Sequence, residues 1–254
     1  MIEYMGEVDL GGGFAVKWAF DFKADSPRTW GDNLSHFYTW VRGYSSPDEN
    51  PYADEVQFMS SMLEEHFTFG ELHAAVESKM FDALRFKTDK LHDEHLVVRH
   101  RNILVGKTGW DVVQDYEEYR DAEALARAIA ICAEAPALLA RKVALRTVYM
   151  LDHSGIAFST SPFCDRWDSG AVGFIYADDS DVERCYGGAK PTREKVEREL
   201  DADVELYSAW AAGECYTVYL FLDWVMVDWS RGYIGESGLE EGIQYMRGRI
   251  PKTA

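Results

Sequence analysis

The chain has 254 residues, 47% of them apolar and 14% aromatic, enough for a packed core and contrary to a disordered chain. Lys and Arg number 26 against 44 Asp and Glu, a net charge of -18 that repels a phosphate backbone and argues against direct nucleic-acid binding. The same excess suits a solvated acidic surface, or carboxylates presented to a basic partner surface, including one that normally holds DNA or RNA.

The opening MIEYMGEVDLGGG has no basic start followed by an apolar run, and no stretch reaches the roughly 18 apolar residues of a membrane span. Cys132, Cys164, Cys185 and Cys215 are scattered and signal neither a disulfide framework nor a zinc site. The expectation is a soluble protein of a reducing cytoplasm with no membrane partner. The glycines Gly11, Gly12 and Gly13 read as a hairpin turn. After them Phe14, Val16, Trp18, Phe20 and Phe22 alternate with Ala15, Lys17, Ala19 and Asp21, the period of a half-buried strand.

Ser26 to Asn33 reads as loop and Leu34 to Tyr44 as a short aromatic segment. Pro51 suits a first helical turn, and Val56, Met59, Met62 and Leu63 recur at helical spacing up to a break near His66 to Gly70. A second helix is predicted from about Phe69 to Leu84. Lys87 to Asp115 is irregular, with short strands at His95 to His100 and Asn102 to Val105. Asp121 caps a helix to about Glu134, closed by Pro136.

Strands are predicted at Ala144 to Leu151, Ile156 to Thr160 and Val172 to Tyr176, then an acidic turn at Asp178 to Tyr186. Pro191 opens the longest helix, to about Ala212, with Val196, Leu200, Val204 and Leu206 inward and Glu194, Glu197, Glu199, Asp201, Asp203 and Glu205 largely outward. Cys215 to Leu222 and Trp224 to Trp229 read as a hairpin around Asp223, and Gly238 to Arg247 as a last helix. Strands and helices are segregated, so the fold class is α+β with a mainly antiparallel sheet and several packed helices. The chain reads as a single α+β domain, its one candidate sub-division near 102–115.

Gly106-Lys107-Thr108 is not a P-loop, because Arg101 stands where the leading glycine belongs. His92, His95 and His100 lack the spacing of H-E-x-x-H. No G-x-S-x-G elbow exposes a serine, and Asp152-His153-Ser154 is poor triad geometry, since neighbours on a strand point to opposite faces; His153 to Gly155 reads as a turn between two strands. The densest polar stretch runs from Leu151 to Tyr176. Within it Asp165, Arg166, Trp167, Asp168 and Ser169 form the candidate binding site: a tryptophan between charges is either a plug on the core or an anchor for a partner. No catalytic residue, metal ligand or cofactor is assigned.

The motifs D-H-S-G at Asp152 to Gly155, S-T-S-P-F at Ser159 to Phe163 and W-D-S-G-x-V-G-F-I-Y at Trp167 to Tyr176 resemble those of a family of uncharacterised proteins encoded by bacteriophages and mobile elements. Gly31 to Leu34, Gly213 to Tyr216, Val227 to Tyr233 and Gly238 to Glu241 resemble further blocks of that family. Ala171 stands for its usual glutamine, Asp165 for a common cysteine, and Ser230 and Arg231 for a Cys-Trp pair, so a catalytic cysteine at either place is not expected. The resemblance implies a context and no activity.

Together these readings predict a non-enzymatic protein of the host cytoplasm that binds a host protein or nucleic-acid-handling complex. Its acidic surface would serve as a counter-defence mimic of nucleic acid. The rival is a small metal-dependent hydrolase of a nucleotide or phosphoester, with Asp152, His153, Asp165 and Asp168 converging on a cation or a water. A third reading is a self-associating structural protein anchored by Trp167 and Trp229.

Overall fold

The computed structural model describes residues 2–88, 90, 94–102, 107–113, 121–153, 155–165 and 167–251. In chain order the strands are β1 (Gly6–Gly11), β2 (Phe14–Phe20), β3 (His36–Thr39), β4 (Leu84–Thr88), β5 (Glu94–Asn102), β6 (Lys107–Val112), β7 (Ala144–Asp152), β8 (Ile156–Ser159), β9 (Ser169–Ala177), β10 (Cys215–Leu222) and β11 (Val225–Ile234). The helices are α1 (Glu55–His66), α2 (Phe69–Glu77), α3 (Ala122–Ala130), α4 (Ala135–Leu139), α5 (Asp179–Tyr186), α6 (Arg193–Ala211) and α7 (Gly235–Gly248). They form three sheets, ordered β1-β2-β10-β11, β3-β9-β7-β8 and β4-β5-β6. This is the α+β fold that the segregated elements predict. No helix among the described residues is long and apolar enough to cross a membrane.

The chain divides into two compact units, one of Met1–Phe37, Arg146–Ile175 and Asp181–Ala254, the other of Tyr38–Leu145 and Tyr176–Ser180. Of the segment 102–115 where the sequence suggests a sub-division, residues 103–106 and 114–115 lie outside the described residues, and 107–112 form β6.

In the first unit the alternation of β2 holds from Phe14 to Trp18, whereas Phe20 and Phe22, expected on the same face, are exposed and Ala19 is buried. Val16, Val218, Leu220 and Met246 are buried together, with Leu10, Phe14, Trp18, Tyr233, Leu239 and Ile243 packed around them, so α7 covers one face of the sheet. Burial of each large side chain there contributes about 1.5–3 kcal/mol. Gly242 permits this seat, since a Cβ on it would come within 2.9 Å of the Tyr233 ring. The partner strand β1 is the element that the sequence reading lacked: in GEVDLG the outward Glu7 and Asp9 dilute the apolar signal of an edge strand.

Gly11, Gly12 and Gly13 all take positive φ, which makes them the β1–β2 turn. The carbonyl of Gly13 accepts the Asp223 amide at 3.0 Å, so the two hairpin tips meet. In the same unit α6 starts at Thr192, whose side chain accepts the Lys195 amide, and buries Val196, Leu200, Val204 and Tyr207. Leu206, expected inward, is only half-buried.

The second unit packs α1 against α3 and α4, and α2 against α3 and β4. Asp54, not Pro51, caps α1, because its carboxylate can accept the Gln57 amide. Pro136 opens α4 instead of closing the helix before it, its missing N–H being harmless in a first turn. The predicted second helix stops at Glu77, where Lys79 turns to φ 58 and the chain continues into β4. The stretch after it is more regular than its sequence suggests: β5 pairs with both β4 and β6.

Thr68 and Glu71 form a capping box at the start of α2, and Lys142 Nζ lies 2.6 Å from Glu71 Oε1. The hydrogen bonds from Lys142 and then from the Thr68 amide and hydroxyl hold the Glu71 carboxyl down at about 2. A carboxyl lowered on folding stabilises the fold above its ordinary value of 4.5, and that contribution is lost as pH falls towards about 2. Glu71→Gln is therefore expected to lower the melting temperature at pH 7, with the gap to wild type closing between pH 5 and pH 2 when both are followed by circular dichroism.

Candidate functional site

The loop expected to bind is built on two strand ends. β7 and β8 form a hairpin in which Asp152 lies opposite Ile156, and the His153 amide donates to the Gly155 carbonyl at 3.2 Å. The Asp152 amide donates to the Asp168 carbonyl at 2.9 Å, which ties the start of β9 to this hairpin. Asp165 Oδ1 accepts the amides of Trp167 at 2.8 Å and Asp168 at 3.2 Å, and the Ser169 hydroxyl donates to the Asp165 carbonyl. The amides of Trp167 and then Asp168 hold the Asp165 carboxyl below its usual range.

Asp165 thus shapes a turn, and the structure brings it together with Trp167, Asp168 and Ser169. Arg166 and Ser154 lie outside the described residues. Trp167 is 95% exposed, which removes the reading of a plug on the core. Asp168 Oδ2 stands 2.8 Å from His153 Nδ1, so a histidine joins the loop.

That pair can orient an imidazole, but the fuller convergence needed for metal chemistry is not formed. Among the described residues, Asp152, His153, Asp165 and Asp168 do not bring three ligand atoms within 4.8 Å of one another. Thiolate chemistry is also poorly served at the two buried cysteines: burial, then the charge of Glu134, pushes the Cys132 thiol up to about 11, and burial raises that of Cys215.

A second surface in the same unit was less visible in sequence. The β10–β11 hairpin turns on Asp223 and Trp224, with φ 47 and 71. A two-residue turn joining right-twisted strands needs positive φ at both positions, which is why Asn-Gly or Asp-Gly is usual there. Tryptophan in the left-handed region costs about 1–2 kcal/mol. Even so it stands 85% exposed.

Lys17 steadies it. The Lys17 ammonium sits 5.3 Å from the centroid of the Trp224 ring, 5.4 Å from Phe221 and 5.7 Å from Tyr4, and 3.0 Å from Glu7 Oε2. Register aligns Lys17 with Tyr219, and Tyr219 with Trp229, on the sheet face opposite Val16 and Val218. Val225, Met226, Val227 and Trp229 are exposed as well, on a strand that ends the sheet order. The signal available in sequence was a bulky Asp-Trp pair in a turn that calls for glycine.

The acids of α6, expected to face largely outward, are in part paired within the chain. Arg146 lies 3.0 Å from Glu197 and 3.3 Å from Asp201, Arg193 lies 2.8 Å from Glu197, and Arg28 lies 3.3 Å from Asp203. Three of the α6 carboxylates therefore face arginines of their own chain.

No family model, curated protein or solved structure matches this chain.

Proposed function

We propose that the protein is non-catalytic and binds a host protein through the aromatic tip and outer face of the β1-β2-β10-β11 sheet. The observation that carries this is Trp224, held in a costly left-handed conformation and yet presented to solvent. Strain kept at an exposed aromatic residue with no core to fill is a mark of function, and tryptophan is the side chain most enriched at interface hot spots. The apolar edge strand β11 adds a template on which a partner strand can pair.

The partner is a protein with an apolar pocket rimmed by basic groups. Net charge of -18 steers such a surface from a distance, while the aromatic groups supply the short-range affinity. A nucleic-acid-handling host complex has this character, and the resemblance of the central motif to phage and mobile-element proteins supplies the setting, a counter-defence role in the host cytoplasm. The pairing of Glu197, Asp201 and Asp203 with arginines favours aromatic anchoring over a mimic of phosphates.

Capture from host lysate at two ionic strengths tests this. The expected result is a partner retained at low salt, weakened but not abolished near 0.5 M salt, and lost from the Trp224→Ser/Trp229→Ser variant. Recovery of equal partner by that variant, or of a second copy of the chain alone, contradicts it.

A further inference from the structure

A three-donor cluster lies in the second unit. One ligand atom each from Glu65, His66 and Asp178 fall within 4.8 Å of one another. Glu65 and His66 close the last turn of α1, and Asp178 sits where β9 passes into α5. The same imidazole carries a second anomaly: its Nε2 is shut off from solvent and has no hydrogen-bond partner. A buried polar nitrogen left so costs about 1–3 kcal/mol, and each such atom asks for an explanation.

We propose that Glu65, His66 and Asp178 form a binding site for a borderline divalent cation of the zinc type. An imidazole nitrogen with two carboxylate oxygens is a mixed donor set that suits zinc better than magnesium, which prefers oxygen alone. Position agrees with charge. The C-terminal end of α1 carries the negative end of the helix dipole, and the two carboxylates add to it, so a cation is favoured there.

Asp178 is already oriented for the task, since its Oδ1 accepts the Ser180 amide and hydroxyl, both at 2.7 Å. Supporting hydrogen bonds of this kind fix the direction of a ligating carboxylate. Donor atoms around a tetrahedral zinc ion stand about 3.4 Å apart, given bonds of about 2.0–2.1 Å. The cluster's separations of no more than 4.8 Å are compatible with that spacing, and the exposed Glu65 side chain can rotate to meet it. Three protein donors leave a fourth position for water or a ligand.

The test is calorimetric titration of the intact, chelator-treated protein with zinc chloride at pH 7. Wild type is expected to bind one ion per chain at this site, Glu65→Gln to bind it at least tenfold more weakly, and His66→Gln to lose it. Glu65 is exposed, so its glutamine variant tests the site without disturbing the core. Absence of zinc binding by wild type overturns the proposal, as does unchanged affinity in Glu65→Gln and His66→Gln variants that melt like wild type.

Discussion

Trp224→Gly is expected to make the isolated protein more stable and to weaken its partner binding at least about thirtyfold. Glycine adopts positive φ without the steric cost that tryptophan bears at φ 71, which returns about 1–2 kcal/mol. Against this stands the lost contact with the Lys17 ammonium at 5.3 Å, worth about 0.5–1 kcal/mol at a site of this exposure. The net gain is about 0–1.5 kcal/mol, read as a higher urea midpoint with unchanged slope. Binding moves the other way, because truncation of a hot-spot tryptophan costs at least about 2 kcal/mol, roughly thirtyfold in affinity. A variant that is less stable, or that binds as well as wild type, removes Trp224 from its assigned role.

Arg28→Ala is expected to destabilise the fold by about 3–5 kcal/mol. The Arg28 side chain is only 3% exposed, and its guanidinium donates to the Ser35 carbonyl at 2.6 Å and to Asp203 Oδ2 at 3.3 Å, while the Ser35 hydroxyl donates to the same oxygen at 2.5 Å. Burial pushes the Asp203 carboxyl up even with Ser35 and Arg28 beside it. Without the arginine the carboxylate is stranded, and breaking one partner of a buried pair is the costly case.

The sign of the pH dependence follows from that direction. A carboxyl raised on folding opposes folding while it is ionised, and this opposition is relieved as pH falls through the raised value towards the ordinary 3.8. The Arg28→Ala deficit is therefore largest at pH 7 and shrinks on mild acidification, and adding Asp203→Asn recovers part of it at pH 7. Urea unfolding of the two variants at pH 7 and pH 5 checks both points.

How much of this was legible in sequence depended on whether a signal was local. The alternation from Phe14 to Phe20 and the cap at Asp121 each act within a few residues, and each produced the element expected. Pro51 stands four residues before α1, outside the first turn expected of it, and Pro136 opens α4 instead of closing α3. Proline tolerates several positions near a helix start, so it marks a boundary without saying on which side the helix lies. Sheet β4-β5-β6 was legible only in part: the strand expected at His95 to His100 is the middle of β5, whereas β4 and β6 lie in charged, irregular sequence where pairing is decided by neighbours rather than by propensity.

The candidate sites divide in the same manner. The 165–169 loop was found because its polar residues are consecutive, and the structure then showed Asp165 occupied in shaping the turn. Trp224 was passed over because its interest lies in a backbone angle. The α6 acids looked like a continuous charged row until Arg28 and Arg146, distant in sequence, were seen beside them. Glu65, His66 and Asp178 share no motif, and only the fold brings them together.

Docking through the β10–β11 tip is tested by amide hydrogen exchange of the protein, alone and with its captured partner. Slowed exchange is expected across residues 223–229, with β2 around Lys17 next and residues 153–169 unchanged. Protection centred on 153–169 with 223–229 unaffected would contradict it.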